Sequence, residues 1–126
     1  WNENGHCYSK FGANNSYLNW PDSVAFCSAW GGHLVTITSQ DEQDFVYNNV
    51  FNVGSKANTW IGGHDLGTEG NWNWINRETW SYTNWDAGQP NNRDGGEDCA
   101  HFLNGREGKW NDAYCGSGLL FICESE

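Results

Sequence analysis

The sequence predicts one α+β domain, with two helices in its first half and a loop-rich second half. Residues 1–126 suffice for a single core and leave little room for a second domain. Two capped segments predict the helices, and short apolar segments predict strands. From Gly63 to Trp110 the chain is dominated by Gly, Asn, Asp and Trp, with few regular patterns. So long a stretch without secondary structure in a compact domain indicates either a functional region or missed elements.

Both predicted helices have recognisable ends. The first covers residues 19–30, with Asn19 as N-cap, Pro21 in the first turn and two glycines as the stop. The second begins at Ser39, whose spacing to Glu42 matches a capping box, and runs to about residue 50. Short strands are predicted at residues 34–37, 60–61, 100–103 and 119–123.

The composition excludes several classes of partner. The formal net charge is −10, so the surface repels nucleic acid and anionic membranes and attracts divalent cations. No apolar run is long enough to span a bilayer, which argues against membrane insertion. An aromatic share of 16% argues against disorder.

The cysteine pattern indicates an oxidising compartment, and hence a secreted, extracellular protein. Five widely spaced cysteines form no CxxC pair, so disulfides are favoured over a zinc or thioredoxin-like site. Any four can pair in several ways, and one is left over. A sequon at Asn14 fits secretion, although it does not establish glycosylation. No leader precedes Trp1, so for a secreted chain we expect the signal peptide to have been removed.

Oxygen-bearing side chains are concentrated in two separated segments. Gln89 and Asn91 flank a proline, two acids follow shortly after, and an Asn-Asp pair comes after Trp110. Calcium takes roughly six to eight oxygen ligands, whereas zinc favours His or Cys, and neither is clustered here. A cis peptide bond at the proline would turn both flanking side chains the same way. The alternative interpretation is that Asn, Asp and Gly simply make turns.

Several motifs in order give the chain a resemblance to the C-type lectin-like domain family over nearly its whole length. They are Gly31-Gly-His-Leu34, Trp60-Ile-Gly62, Gln89-Pro90-Asn91, Glu97-Asp98-Cys99, Trp110-Asn111-Asp112 and the late Cys123. The resemblance implies a C-type lectin fold, with two helices, short antiparallel sheets and a long loop region that carries a calcium site. It implies one carbohydrate-recognition domain that binds glycans, with no enzymatic activity.

The resemblance also implies roles for individual residues. The calcium ion (Ca2+) ligands are then Gln89, Asn91, Glu97, Asn111 and Asp112, and the first four of these also contact the sugar, whose neighbouring hydroxyls join the metal shell. The implied disulfides are Cys27–Cys123 and Cys99–Cys115. A second calcium ion would use Asp65, Glu69, Asn92 and Asp98; the alternative there is an acidic, solvated turn. The four histidines fall at no metal-ligand spacing in the sequence.

The sugar class follows less directly, because the motif Gln89-Pro90-Asn91 mixes two family forms. Glu-Pro-Asn relatives generally favour mannose-type sugars, and Gln-Pro-Asp relatives favour galactose types. The segment 92–96 is short and lacks an aromatic residue, so mannose, fucose or N-glycan ligands are favoured over galactose.

Three further expectations complete the hypothesis. Cys7 is the odd cysteine: either its partner was lost by processing, or it links two chains. We favour the link, a covalent homodimer whose bivalence fits agglutination or pathogen recognition. A lectin-like fold that binds protein or ice is the alternative function. A hydrolase using Glu97 and Asp98 is disfavoured, because adjacent residues serving one cation are poor candidates for separated acid and base roles.

Overall fold

The computed structural model describes residues 3–92 and 96–126. Part of the segment between the proline motif and Glu97, used above to favour mannose-type sugars, lies outside the described residues, as does Trp1. In chain order the elements are β1 (Cys7–Phe11), α1 (Trp20–Trp30), β2 (His33–Leu34), α2 (Gln40–Val46), a π-helical turn (Tyr47–Phe51), β3 (Thr59–His64), β4 (Asn73–Trp74), β5 (Glu97–Phe102), β6 (Trp110–Tyr114) and β7 (Leu120–Ser125).

Both predicted helices are present, and their ends follow from local side chains. Asn19 Oδ1 accepts a hydrogen bond from the backbone N–H of Asp22 at 2.8 Å, and Gly31 ends α1 with φ of 109°. Ser39 Oγ accepts from the N–H of Glu42 at 3.1 Å at the start of α2. The α-helical part of α2 is shorter than predicted, because the chain continues as the π-helical turn instead.

The strands in the described residues form one mixed sheet in the order β1-β7-β3-β5-β6. β2 pairs with β7, and β4 pairs with β3. β3 and β7 are parallel, while the other pairs are antiparallel. The pairing of β1 with β7 brings the two ends of the described chain side by side.

The sequence prediction missed β1, β4 and β6, and placed β2 at residues 34–37 rather than at His33–Leu34. The long loop region was predicted correctly in the described residues: between β4 and β5 there is no helix, and a single isolated bridge joins Trp85 to Trp110. None of the helices in residues 3–92 and 96–126 has the length and apolar character needed to cross a membrane.

The loop region is anchored by tryptophans. Trp60 and Trp110 are fully buried, as expected. Trp74 packs edge-on against Trp110 with ring centroids 5.6 Å apart, and Trp85 does so at 5.8 Å. This aromatic core fixes the base of the loops, so the side chains at their outer end are held by a rigid support.

The structure joins the cysteines in the pairs that the resemblance implied. The Cys27–Cys123 disulfide links α1 to β7 across a sequence separation of 96, and the Cys99–Cys115 disulfide links β5 to the turn after β6 across a separation of 16. Cys7 is exposed and forms no disulfide among the described residues.

Candidate functional site

Asp112 on β6 ties the proline loop to the sheet. Its carboxylate is fully buried, with Oδ1 accepting from the backbone N–H of Asn91 at 3.2 Å and Oδ2 from that of Asn92 at 2.7 Å. Hydrogen bonds to a charged acceptor are among the strongest in proteins. One carboxylate from the second oxygen-rich segment therefore positions the backbone of the first.

The pairing of β5 with β6 brings Glu97 to the same end of the sheet. Glu97 is paired with Tyr114, and an irregularity in register follows before Cys99. The backbone N–H of Glu97 donates to Asn92 Oδ1 at 3.1 Å, which links the start of β5 to the proline loop. The two oxygen-rich segments are thus held together by Asp112 on one side and Asn92 on the other.

Gln89 carries a polar atom that needs a partner. Its side-chain oxygen Oε1 is buried and has no hydrogen-bond partner within the described residues. The Gln89–Pro90 peptide bond is cis. A buried amide oxygen without a partner costs on the order of 1–3 kcal/mol, and a bound cation removes that cost. This orphaned oxygen fits a hard metal ion.

His101 orients the amide of Asn111, a role that the sequence did not indicate. Burial lowers the pKa of His101, so its ring is neutral. Its Nδ1 lies 2.8 Å from the carbonyl oxygen of Phe102 and donates to it, which leaves Nε2 as an acceptor. Asn111 Nδ2 donates to that Nε2 at 3.2 Å. This hydrogen bond fixes the orientation of the Asn111 amide. Its side-chain oxygen points away from the His101 nitrogen and is the atom that could bind a metal ion.

A second group of carboxylates lies at the turn after β3. One oxygen from each of Asp65, Glu69 and Asp98 lies within 4.8 Å of the other two. Asp65 and Asp98 each have a buried Oδ1 for which the described part of the chain offers no hydrogen-bond partner. The neighbouring Asp65 carboxylate raises the pKa of Glu69 to about 7, and burial together with Asp65 raises the pKa of Asp98. Such mutual repulsion is relieved when a cation binds.

The structure therefore brings together three of the four residues expected for a second calcium ion. The fourth, Asn92, uses its side-chain oxygen to accept from the Glu97 N–H. Both oxygen clusters fit a hard cation by their donor type, and β5 carries residues of each, Glu97 and Asp98.

The chain matches known proteins over almost its full length. The Lectin C-type domain family matches residues 16–125. A perlucin-like protein of Mytilus galloprovincialis is 40% identical over 108 residues, which are 83% of this chain and 69% of that protein. The low affinity immunoglobulin epsilon Fc receptor of Mus musculus is 40% identical over 119 residues, or 94% of this chain, yet the match spans just 33% of the receptor.

Solved structures agree with this assignment. The cow C-type carbohydrate-recognition domain of CD23, determined in the presence of GlcNAc2Man3 oligosaccharide, aligns with a TM-score of 0.80 at 33% identity and covers 94% of this chain and 84% of its own. A calcium-independent type II antifreeze protein aligns with a TM-score of 0.83 at 25% identity, covering 95% and 85%. On the family match and these relatives, the chain belongs to the C-type lectin domain family.

Proposed function

We propose that the chain binds carbohydrate through a calcium ion held by Gln89, Asn91, Glu97, Asn111 and Asp112. The observation that carries this proposal is the buried, unpartnered Oε1 of Gln89 in a loop that the Asp112 carboxylate fastens to β6. An amide oxygen and nearby carboxylates without His or Cys form a donor set suited to calcium. A structure in calcium with those side chains pointing apart would refute it.

The sugar completes the metal shell with two neighbouring hydroxyls. A hydroxyl has two lone pairs and one proton, so it can bind calcium, accept from an amide N–H and donate to a carboxylate at once. Asn111 keeps a second N–H beside the one given to His101. That N–H and the Glu97 carboxylate supply the donor and acceptor for one hydroxyl. Gln89 and Asn91 offer two amides and no carboxylate to the other hydroxyl.

A sugar column with and without chelator tests the proposal. Wild-type protein is retained in calcium and released by EDTA. Gln89→Ala lowers retention by about tenfold or more, because it removes the buried side-chain oxygen that we propose as a calcium ligand. Gln40→Ala, a glutamine on the exposed side of α2, is the matched control and leaves retention unchanged. Retention that ignores EDTA contradicts the calcium bridge.

Mannose, fucose or N-glycan ligands are the sugar class that we favour. Support comes from the short segment after the proline motif and from the cow CD23 domain, whose structure was determined with a mannose-containing oligosaccharide. Galactose or GalNAc is the alternative specificity. A glycan array in calcium decides between them, because it carries glycans of both classes and shows which class the protein binds.

A second calcium ion at Asp65, Glu69 and Asp98 is part of the proposal. The two buried, unpartnered oxygens of this group support it. Calorimetric titration should then give two calcium ions per chain, and Asp65→Asn should leave one, with sugar binding weakened rather than abolished. If the wild-type chain binds one calcium ion, this group is an acidic, solvated turn and not a calcium site.

Binding to protein or to ice is the second candidate function. It is favoured by the structural likeness to an antifreeze protein described as calcium-independent. The two functions separate experimentally, because ice-growth inhibition that survives EDTA requires no calcium. The family is one of lectins, which are not enzymes, and we propose no catalytic step.

We further propose a secreted protein that forms a covalent homodimer through Cys7. This cysteine is exposed on β1, one of the two edge strands in the sheet order of the described residues. Single lectin sites are often about millimolar, or roughly −4 kcal/mol, so pairing two sites raises avidity without new contacts. Electrophoresis with and without reductant tests the bond; a monomer band in both lanes excludes it.

A further inference from the structure

Three strands at one edge of the sheet place ionisable side chains on a common face. In β7, Glu124 is paired directly with His33 of β2. Glu126 follows Glu124 by two residues and so continues on the same face. Cys7 of β1 is paired with Ser125, and therefore His6, the residue before it, lies opposite Glu126 when the register is extended by one step. Two imidazoles and two carboxylates thus flank the end of β7.

The side-chain atoms of this group are in contact. His6 Nδ1 lies 2.5 Å from Glu124 Oε2, and His33 Nε2 lies 3.1 Å from Glu126 Oε1. One ligand atom from each of His6, Glu124 and Glu126 lies within 4.8 Å of the other two. In a tetrahedral zinc site with bonds of about 2.1 Å, neighbouring ligand atoms are about 3.4 Å apart. Small side-chain rotations suffice to reach that spacing.

The two oxygens of the buried Glu124 carboxylate have different neighbours. Its side chain is 1% exposed, and Oε1 accepts from the N–H of Thr36 at 3.0 Å. The other oxygen, Oε2, faces His6. A buried carboxylate is costly unless it is paired with a cation, and both a protonated imidazole and a metal ion fill that role.

We propose that His6, Glu124 and Glu126 bind one zinc ion or a chemically similar divalent transition metal. An imidazole nitrogen with two carboxylate oxygens is a ligand set for zinc, whereas calcium prefers oxygens throughout. On binding, the metal takes the place of the hydrogen bond between His6 and Glu124, and a water completes four-coordination. His33 is a positioning residue, because it holds the Glu126 carboxylate next to the other two ligands. This site shares no residue with the two calcium clusters.

Calorimetric titration of zinc into the whole chain, in excess calcium to fill the oxygen clusters, tests the proposal. One zinc ion per chain is expected. His6→Gln and Glu126→Gln should each raise the dissociation constant by about tenfold or more. His64→Gln and Glu107→Gln are the matched controls, since neither side chain contacts the group, and they should leave zinc binding unchanged.

Cobalt supplies a readout that does not depend on sugar binding. In tetrahedral coordination Co2+ gives strong visible absorption, so the wild-type chain should become coloured and the Glu126→Gln chain should not. A Glu124 variant also loses the hydrogen bond from the Thr36 N–H, and for that reason the exposed Glu126 carries the test.

Cys7 requires its own control, because a thiolate next to His6 is a zinc ligand. The proposal expects Cys7→Ser to bind zinc as the wild type does, since Cys7 alternates with His6 and lies on the opposite face of the strand. Loss of zinc binding in Cys7→Ser, or unchanged binding in both His6→Gln and Glu126→Gln, overturns it. Absence of zinc binding to the wild-type chain does so as well.

Discussion

Replacing Asp112 with asparagine tests whether one carboxylate both fastens the proline loop and binds calcium. In the wild type, the two oxygens accept from the backbone N–H groups of Asn91 and Asn92. Asparagine keeps one oxygen but turns an NH2 group towards the second N–H, so one charge-assisted bond is lost and a donor faces a donor. The expected loss in unfolding free energy without calcium is about 3 kcal/mol. With about 0.26 kcal/mol per degree for this chain length, the melting temperature falls by about 11 °C.

Calcium separates the two roles of Asp112. A ligand present at about a hundred times its dissociation constant stabilises the native state by about 2.7 kcal/mol, which here corresponds to about 10 °C. The wild type should show this increase on adding calcium. The Asp112→Asn chain should lose the part of this increase that comes from the ion at Gln89, Asn91, Glu97, Asn111 and Asp112, because the substitution removes a charged ligand of that ion; any increase from the ion at Asp65, Glu69 and Asp98 remains. Four melting curves, two proteins with calcium and with EDTA, measure both effects.

Asp86→Asn is the matched control. Asp86 is a partly exposed aspartate whose Oδ1 pairs with Arg106 at 3.1 Å. Such a pair contributes up to about 1 kcal/mol, so the calcium-free melting temperature changes little and the calcium increment is retained. An Asp112→Asn chain that keeps the full calcium increment shows that Asp112 is not a ligand. If the Asp112→Asn chain has the wild-type melting temperature in EDTA, the hydrogen bonds between Asp112 and the loop contribute nothing to the free energy of unfolding.

Three further predictions concern the core, the disulfides and the acidic turn. Trp110→Phe should lower the unfolding free energy by about 1–2 kcal/mol more than Trp74→Phe in urea titrations, because Trp110 Nε1 donates to buried Gln43 Oε1 at 3.0 Å while Trp74 Nε1 has no partner among the described residues. Removing the disulfide between α1 and β7 should lower the free energy of unfolding by about 4–5 kcal/mol, and removing the one at β5 should lower it by about 3 kcal/mol, because the first closes a much longer loop. The pKa of Glu69 rises from 4.5 to about 7 on folding, so in EDTA the native state binds the extra proton. The contribution of Glu69 to stability is then fully present below pH 4.5 and is lost as the pH rises through about 7; Glu69→Gln should remove this contribution in melts across that range, and an unchanged slope would contradict it.

The helices could be predicted because their signals are local. The capping side chains of Asn19 and Ser39 lie within three residues of the N–H groups that they accept from, and both bonds are present in the structure. The π-helical continuation of α2 could not be predicted from the same signals, because an apolar pattern that runs to about residue 50 does not distinguish α-helical from π-helical backbone after Val46.

The missed strands depend on partners far away in the chain. β1 is paired with β7, more than a hundred residues later, and its residues have no fully apolar face of their own. β6 alternates correctly, but one of its inward positions is the buried Asp112, which looks like a surface residue in the sequence. A polar residue at an inward position hides the period of two on which strand prediction relies.

At the candidate site, too, the features that depend on residue type could be predicted, and those that depend on contacts between distant residues could not. Ligand identity depends on side-chain chemistry, so the oxygen donors near Gln89 and Asp112 could be proposed from residue types alone. Their support depends on geometry: the choice of Asn111 amide orientation follows from a neutral His101 that itself donates to Phe102. Both oxygens of Asp112 accept from the loop backbone, so these two hydrogen bonds themselves hold the loop next to the other proposed ligands. Calcium binding then has less chain to order, and the same bonds make the loss of Asp112 costlier than the loss of any ligand that serves the ion alone.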